Sequence, residues 1–376
     1  MLKKIFVQLL CVLFISPAFA QSATDLYNDG MKLLETKEYE PALAAFKNAI
    51  AKNAAYTDAL YEAGWCCNEL GKYSEAVGYL EKAAKLSPLT AKIFFELAYS
   101  DENAEKENDA IVNYKTALEL YPEYYSAAQN LGDIYYKKEE YAAAVKYYKL
   151  YLQSSDADNY YYYKTGWAMN DLEEYADAIT HLEKYEPGEN DDIAKKYAEI
   201  GYANYSVEDN DEAIEAYTKA LSAKPGYGTA LRGLGNVYYD NTEEYDEAIK
   251  YFELALEKDE ENSQSVYYKL GWLYNDAENY DDAIDVLEKA VDYDAEDPGT
   301  REELGYAYYM QQNNTNAMAQ LDKAIALDPK SKLGYYYKGL TYLAMDKKED
   351  AMQVYNKLKN VDAAQAEKLL GKINEK

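Results

Sequence analysis

Small residues return along this chain at a nearly fixed step. Glycines stand at Gly30, Gly64, Gly132, Gly166, Gly201, Gly235, Gly271, Gly305 and Gly339, most of them 34 residues apart, and Ala98 fills the one vacancy. The segments LGDIYY, TGWAMN, IGYANY, LGNVYY, LGWLYN and LGYAYY align on this residue. Twelve residues on comes an alanine: Ala42, Ala76, Ala110, Ala144, Ala178, Ala213, Ala283, Ala317 or Ala351, with Ala248 one residue late. Four further on stands a bulky side chain, from Phe46 and Leu80 through Tyr148, Tyr217 and Phe252 to Tyr355. Pro88, Pro122, Pro225 and Pro329 close several units.

Each unit reads as two amphipathic helices, the first carrying the glycine and the second beginning near sequences such as YSEAVGYL or YDDAIDVL. Glycine and alanine at the two steps let two helix backbones approach closely. Proline ends the second helix, because it lacks the N–H donor and clashes with the preceding turn. One such unit would lose about 50 kcal/mol of conformational entropy on ordering, more than it can offset alone. Stacked copies bury a continuous core, which takes at least three repeats. The expected fold is therefore all-α.

The pattern resembles the tetratricopeptide repeat family. The family's small residue, aromatic, alanine and terminal proline have counterparts in YKLGWLYNDAENYDDAIDVLEKAV (268–291) and SAAQNLGDIYYKKEEYAAAVKYYKLYL (126–152). The resemblance covers about 23–365 as ten units, and implies a right-handed superhelical α-solenoid over 21–365 with a capping helix or tail over 366–376. Asp101, Glu102 and Arg301 depart from the family's apolar positions, and Asp156 and Asn190 stand where a proline is usual. Phase slips in EPGENDD (186–192) and in DNTEEYDE (240–247), where the turn inside the seventh unit is expected to lengthen. Such insertions are tolerated because loop length costs little; a hinge is the functional alternative.

Tyrosine is the other excess: 45 against seven phenylalanines, with four in a row at 160–163. Residues three and four apart share a helix face, so four consecutive rings must spread around the helix. Tyr162, four before Gly166, falls on the packing face. Tyr160, Tyr163, Trp167 and Asn170 form a second stripe. The same offsets elsewhere give Tyr61, Trp65, Phe95, Tyr99, Tyr136, Tyr202, Tyr205, Arg232, Asn236, Tyr239, Tyr268, Trp272, Asn275, Tyr306 and Tyr309. All three tryptophans sit directly after the glycine. Two readings stay open: rings packed between neighbouring repeats, or a ligand-facing lining of aromatics and amides. The second is favoured, because a buried core would select Leu and Ile, while Tyr and Trp suit half-exposed surfaces. In the resembling family this stripe lines the inside of the superhelix and binds extended peptides. Some members grip a terminal carboxylate there through Lys and Asn. Arg232, Asn236 and Lys269 partly resemble that grip, but the full set is missing.

The N-terminus reads as a secretory signal peptide over 1–20. Lys3 and Lys4 precede the apolar run IFVQLLCVLFI, and SPAFA supplies a small-x-small cleavage site after Ala20. The run is shorter than the ~20 residues a spanning helix needs. Export to the bacterial periplasm, or beyond the cell, follows as the expectation. The chain holds 68 acidic and 39 basic residues, a net −29, and loss of Lys3 and Lys4 would take it to −31. Nucleic acid is an improbable partner for such a chain, since binding it means neutralising phosphates with clustered cations.

Catalytic chemistry finds no support. His181 is the only histidine, and it falls on a second helix. Cys66 and Cys67 are neighbours, their Cα atoms about 3.8 Å apart and too close for an unstrained disulfide, so they read as two buried thiols. No metal cluster, phosphate loop or dinucleotide fingerprint is present, so no catalytic residue, metal or cofactor is assigned. The acidic runs EDNDE and DAED lack the spacing of a calcium loop. The leading expectation is a non-catalytic scaffold that holds proteins or extended peptides along the aromatic face. A glycan- or cell-wall-binding module is the alternative, and homo-oligomerisation stays open.

Overall fold

An added methyl group shows why the glycine step exists. In the computed structural model, which describes residues 21–376, a Cβ on Gly132 would lie 2.4 Å from the ring of Tyr148, and one on Gly235 would lie 2.4 Å from Phe252. The bulky residue sixteen positions on, or seventeen at Phe252, lies flat against the glycine backbone of its own hairpin. The leader expected over 1–20 lies outside the described residues.

Up to Ala157 the chain forms one compact unit of helical hairpins. These pair α1 (Ala23–Glu35) with α2 (Tyr39–Lys52), α3 (Thr57–Glu69) with α4 (Tyr73–Leu86), α5 (Ala91–Asn103) with α6 (Glu107–Leu120), and α7 (Tyr125–Lys137) with α8 (Tyr141–Tyr151). A second compact unit starts at Asp158. It pairs α9 (Tyr160–Asp171) with α10 (Tyr175–Lys184), α11 (Asn190–Ser206) with α12 (Asn210–Ala223), and α13 (Gly228–Asn236) with α14 (Tyr245–Ser263). Next come α15 (Tyr267–Asp276) with α16 (Tyr280–Tyr293), α17 (Pro298–Met310) with α18 (Asn314–Leu327), α19 (Lys332–Ala344) with α20 (Lys348–Leu358), and the single α21 (Ala363–Glu375). No strand occurs among the described residues, and each unit is a stack of tandem hairpins of the α-solenoid class.

Every hairpin turns on one left-handed residue. Lys37, Gly71, Glu105, Glu139, Glu173, Glu208, Glu243, Glu278, Gln312 and Asp346 all have φ between 55° and 69°. The next N–H then reaches back five residues, as from Glu174 to the Met169 carbonyl at 2.9 Å, which satisfies the end of the first helix. The seventh hairpin keeps this turn despite its extra residue. The insertion does not lengthen the turn; it widens the end of the first helix into a π-helical segment, Val237–Thr242, and the N–H of Glu244 reaches back to Tyr238 at 3.0 Å. The slip near 186–192 lies between α10 and α11, where α10 is short and α11 runs for 17 residues.

First helices also touch the next first helix, α3 with α5 in the first unit and α9 with α11, α15 with α17 and α17 with α19 in the second. Within each unit, side chains on that side of successive hairpins therefore share one surface. The last glycine is an exception to the pairing. The atoms nearest Gly339 belong to Leu369 of α21, 2.5 Å from an added Cβ, in the place expected for Tyr355. Tyr355 is buried beside it and donates its hydroxyl to Glu367 at 3.3 Å.

Of the four consecutive tyrosines, Tyr161 is the buried one. Tyr162 is half-buried against α10, its ring 6.3 Å from that of His181. Cys66 and Cys67 are free and buried, and burial pushes their thiols up to about 12 and about 11. The departures from apolar positions are all hydrogen-bonded. Asn113 donates to Asp101 at 2.8 Å, Tyr114 to Glu102 at 2.9 Å, and buried Arg301 to the Ala295 carbonyl at 2.7 Å.

Candidate functional site: three aromatic and amide clusters

On a first helix, a tryptophan after the glycine and an asparagine three residues later point the same way. The following first helix presents a glutamate and, three residues on, a tyrosine. The second helix of the starting hairpin adds another tyrosine at its first residue. This constellation occurs three times: Trp65, Asn68, Tyr73, Glu96 and Tyr99; Trp167, Asn170, Tyr175, Glu199 and Tyr202; Trp272, Asn275, Tyr280, Glu303 and Tyr306.

The geometry repeats closely. Asn68 donates to the Glu96 carboxylate at 3.0 Å, Asn170 to Glu199 at 3.0 Å, and Asn275 to Glu303 at 2.9 Å. Each asparagine also donates to the main-chain carbonyl of the same glutamate, at 3.3, 3.1 and 3.1 Å. The tyrosine pairs meet edge to face, Tyr73 with Tyr99 at 6.2 Å, Tyr175 with Tyr202 at 6.2 Å and Tyr280 with Tyr306 at 6.1 Å. The three asparagines are buried and the three indoles half-buried. Burial raises the carboxyls of Glu96, Glu199 and Glu303 above the ordinary glutamate value, opposed by the asparagine amide.

The copies differ at one atom. Ser100 donates its hydroxyl to Oδ1 of Asn68 at 2.7 Å, whereas Oδ1 of Asn170 and of Asn275 has no partner. Beside Asn170 lies a cavity of about 380 Å³ whose wall includes Trp167, Glu199, Tyr202, Tyr217 and Arg232. Beside Asn275 lies one of about 250 Å³, walled by Trp272, Asp276, Glu303, Tyr306 and Tyr337.

The remaining expected site residues spread over other contacts of the same helices. Tyr61 lies under the Lys92 ammonium, 4.2 Å from the ring centroid, and Phe95 stacks on Tyr124 at 4.8 Å. Tyr136 packs on Tyr141 at 5.6 Å. Tyr160 and Tyr163 stack at 5.7 Å, and both meet Tyr185. Trp65 packs on Tyr39, and Trp272 on Tyr239 and Tyr245. Tyr205 donates to Asp240 at 2.7 Å, Tyr268 is exposed, and Tyr309 is half-buried. The residues that partly resemble a carboxylate grip already have acidic or amide partners in the chain. Arg232 faces Asp259 at 3.4 Å, while Lys269 pairs with Asp240 at 2.7 Å and donates to Asn236 at 3.0 Å.

Glu96, Glu199, Glu303 and the tyrosines at 73, 175 and 280 were not among the expected residues. Their signal lies in reading the units three at a time. WCCNELGKY, WAMNDLEEY and WLYNDAENY share one spacing, and each is followed by ELAY, EIGY or ELGY in the next unit.

Among the described residues, no group of three or more His, Cys, Asp or Glu is placed to hold a metal ion, and no helix is long and apolar enough to cross a membrane. A tetratricopeptide repeat family model matches residues 27–89, 95–160 and 268–332, and further models of the same repeat match 194–227, 226–296 and 334–373. The chain belongs to the tetratricopeptide repeat family. No curated protein matches it. Among solved structures it is similar to YrrB, described as a TPR protein with an unusual peptide-binding site: 28% identity, 46% of this chain and 89% of that one, TM-score 0.44. It is similar also to MamA from Desulfovibrio magneticus RS-1, at 21% identity over 46% of this chain and 97% of that one, TM-score 0.42. Yeast Tom70 is similar at 14% identity over 94% of this chain and 95% of its own, TM-score 0.36.

Proposed function

We propose that this chain is an exported, non-catalytic scaffold of ten repeat units that holds extended segments of partner proteins against the first-helix faces of its two compact units in the bacterial periplasm. The observation that carries the reading is the threefold cluster of half-buried indole, buried asparagine and paired tyrosines, once on the first unit and twice on the second. Tyr99 on a first helix of the first unit, and Tyr160, Tyr202 and Tyr268 on first helices of the second, are 37–44% exposed. A large ring with a polar tip gives contact area at small entropic cost, as binding surfaces use it. The leader sequence supports export.

The test combines place and partner. Crosslinking in the intact cell envelope, read by mass spectrometry, is expected to recover the chain with protein partners. In a peptide-library assay, Trp167→Ala with Trp272→Ala should weaken binding at least tenfold while leaving helical content unchanged. Unchanged peptide binding by that variant would overturn this reading. The second reading, a glycan- or wall-binding module, rests on the same rings standing beside amides and carboxylates, which suit sugar stacking. Retention on insoluble wall material with no peptide binding would favour it.

A further inference from the structure

The cavity beside Trp272 is walled by acids and aromatic rings. Its wall has three carboxylates, those of Asp276, Glu278 and Glu303, and no lysine or arginine. Aromatic rings close the rest, with Tyr306 and Tyr337 only 4.7 Å apart. Asn275 is 4% exposed and lines the wall. Its amide N–H groups are committed to Glu303, and its Oδ1 has no partner. An unpaired acceptor held away from water is costly, so the site favours a donor.

The acceptors and rings together select the ligand. An anion would meet three carboxylates. A divalent metal is disfavoured, since no metal-holding group exists among the described residues. A quaternary ammonium would stack on the rings but bring no N–H to Asn275. A guanidinium fits all of it: a flat cation that stacks on aromatic faces and carries a rigid fork of N–H donors for carboxylate and amide oxygens. Of the other copies, the first has its asparagine oxygen satisfied by Ser100, and the second leaves Asn170 Oδ1 unpaired but already holds a cation, the guanidinium of Arg232, in its wall. At the position equivalent to Arg232, three residues before the unit's glycine, the third copy has Tyr336.

We propose that the cavity formed by Trp272, Asn275, Asp276, Glu303, Tyr306 and Tyr337 is a subsite for one arginine side chain of an extended partner segment. This rests on the reading of that face as a peptide-binding surface, and it makes the partner basic. The net −29 of the chain draws such a segment in at long range.

The probe is Nα-acetyl-arginine amide, compared with its citrulline counterpart, which has nearly the same shape and no charge. The readout is the indole N–H signal of Trp272 in the 15N spectrum of the full chain at 150 mM salt, assigned with Trp272→Phe. The arginine compound should shift that signal saturably, and the citrulline compound should bind at least tenfold more weakly. Asp276→Asn, an exposed change, and Asp276→Asn with Glu303→Gln should each weaken the arginine response, the pair at least tenfold. Asp211→Asn with Glu212→Gln, which removes two exposed charges from α12, should not. Equal responses to arginine and citrulline, no saturable shift, or equal loss in the α12 control would overturn the proposal. If peptides from the library still bind but show no preference for arginine, the scaffold reading stands and this one fails; loss of all peptide binding sinks both.

Discussion

At the scale of single residues, the tyrosine excess and the acid excess answer each other. A buried phenol needs an acceptor, and an acidic chain supplies one. Tyr114 donates to Glu102, Tyr148 to Asp133 at 2.8 Å, and Tyr267 to Glu260 at 2.7 Å, with Asn130 donating in turn to the Tyr114 oxygen. Such bonds to charged acceptors contribute about 1.5–3 kcal/mol each, which phenylalanine could not. The glutamates of the three clusters, Glu303 buried and Glu96 and Glu199 half-buried, carry the opposite cost. Burial holds the Glu199 carboxyl above its ordinary 4.5. The folded chain thus keeps that proton to higher pH than the unfolded chain does. The stability this gives is fully present below 4.5 and is lost as pH rises through the raised value. Glu199→Gln keeps an acceptor for Asn170 and removes the charge. Melting curves should show Glu199→Gln losing less stability than the parent between pH 4.5 and 7.5; an equal or larger loss would contradict the assignment. The stripe of rings was legible in the sequence because offsets from the glycine are fixed on a helix. The glutamates were not, because a carboxylate on a helix reads as a solvated charge until the neighbouring asparagine is placed beside it.

At the scale of elements, the hairpin turn is the most uniform feature, and the glycine step did not reveal it. Nine of the ten left-handed positions carry Lys, Glu, Gln or Asp, and only Gly71 is glycine. A left-handed conformation costs an ordinary residue about 1–2 kcal/mol. Glu173→Gly should therefore stabilise the second unit by about 1 kcal/mol, partly offset by the greater freedom of the unfolded chain, as read by denaturant midpoint at constant m. A lower midpoint would show that the Glu173 side chain does more than tolerate its conformation. The π-helical segment shows the limit of reading an insertion from sequence. One extra residue can lengthen a turn or widen a helix, at similar local cost. Here the left-handed turn residue persists, the N–H after it reaches back six residues instead of five, Asn241 donates to Asn210 at 2.8 Å, and the helix absorbs the extra residue.

At the scale of the whole molecule, each hairpin needs a neighbour, and the last one is served by α21. Leu369, Leu358, Ala366 and Ile373 are fully buried there. Leu369→Ala should cost about 2–5 kcal/mol at that end. In a repeat array stability is largely a sum of local and nearest-neighbour terms. Hydrogen exchange in Leu369→Ala should rise in α19, α20 and α21 and stay near its original rate in α9 to α12. A uniform rise across the second unit would mean that the stack melts as one body.

The repeating glycine, alanine and bulky residue by themselves determined the all-α tandem hairpin, because close helix contact admits no larger side chain at those steps. The order of residues along one helix likewise decided which rings share a face. Only the tertiary structure decided which residues from successive hairpins meet: the glutamate under each asparagine, the tyrosine at each edge, and Leu369 over Gly339. Those meetings depend on the packing distance and rotation between neighbouring hairpins, which no periodicity within a single helix encodes.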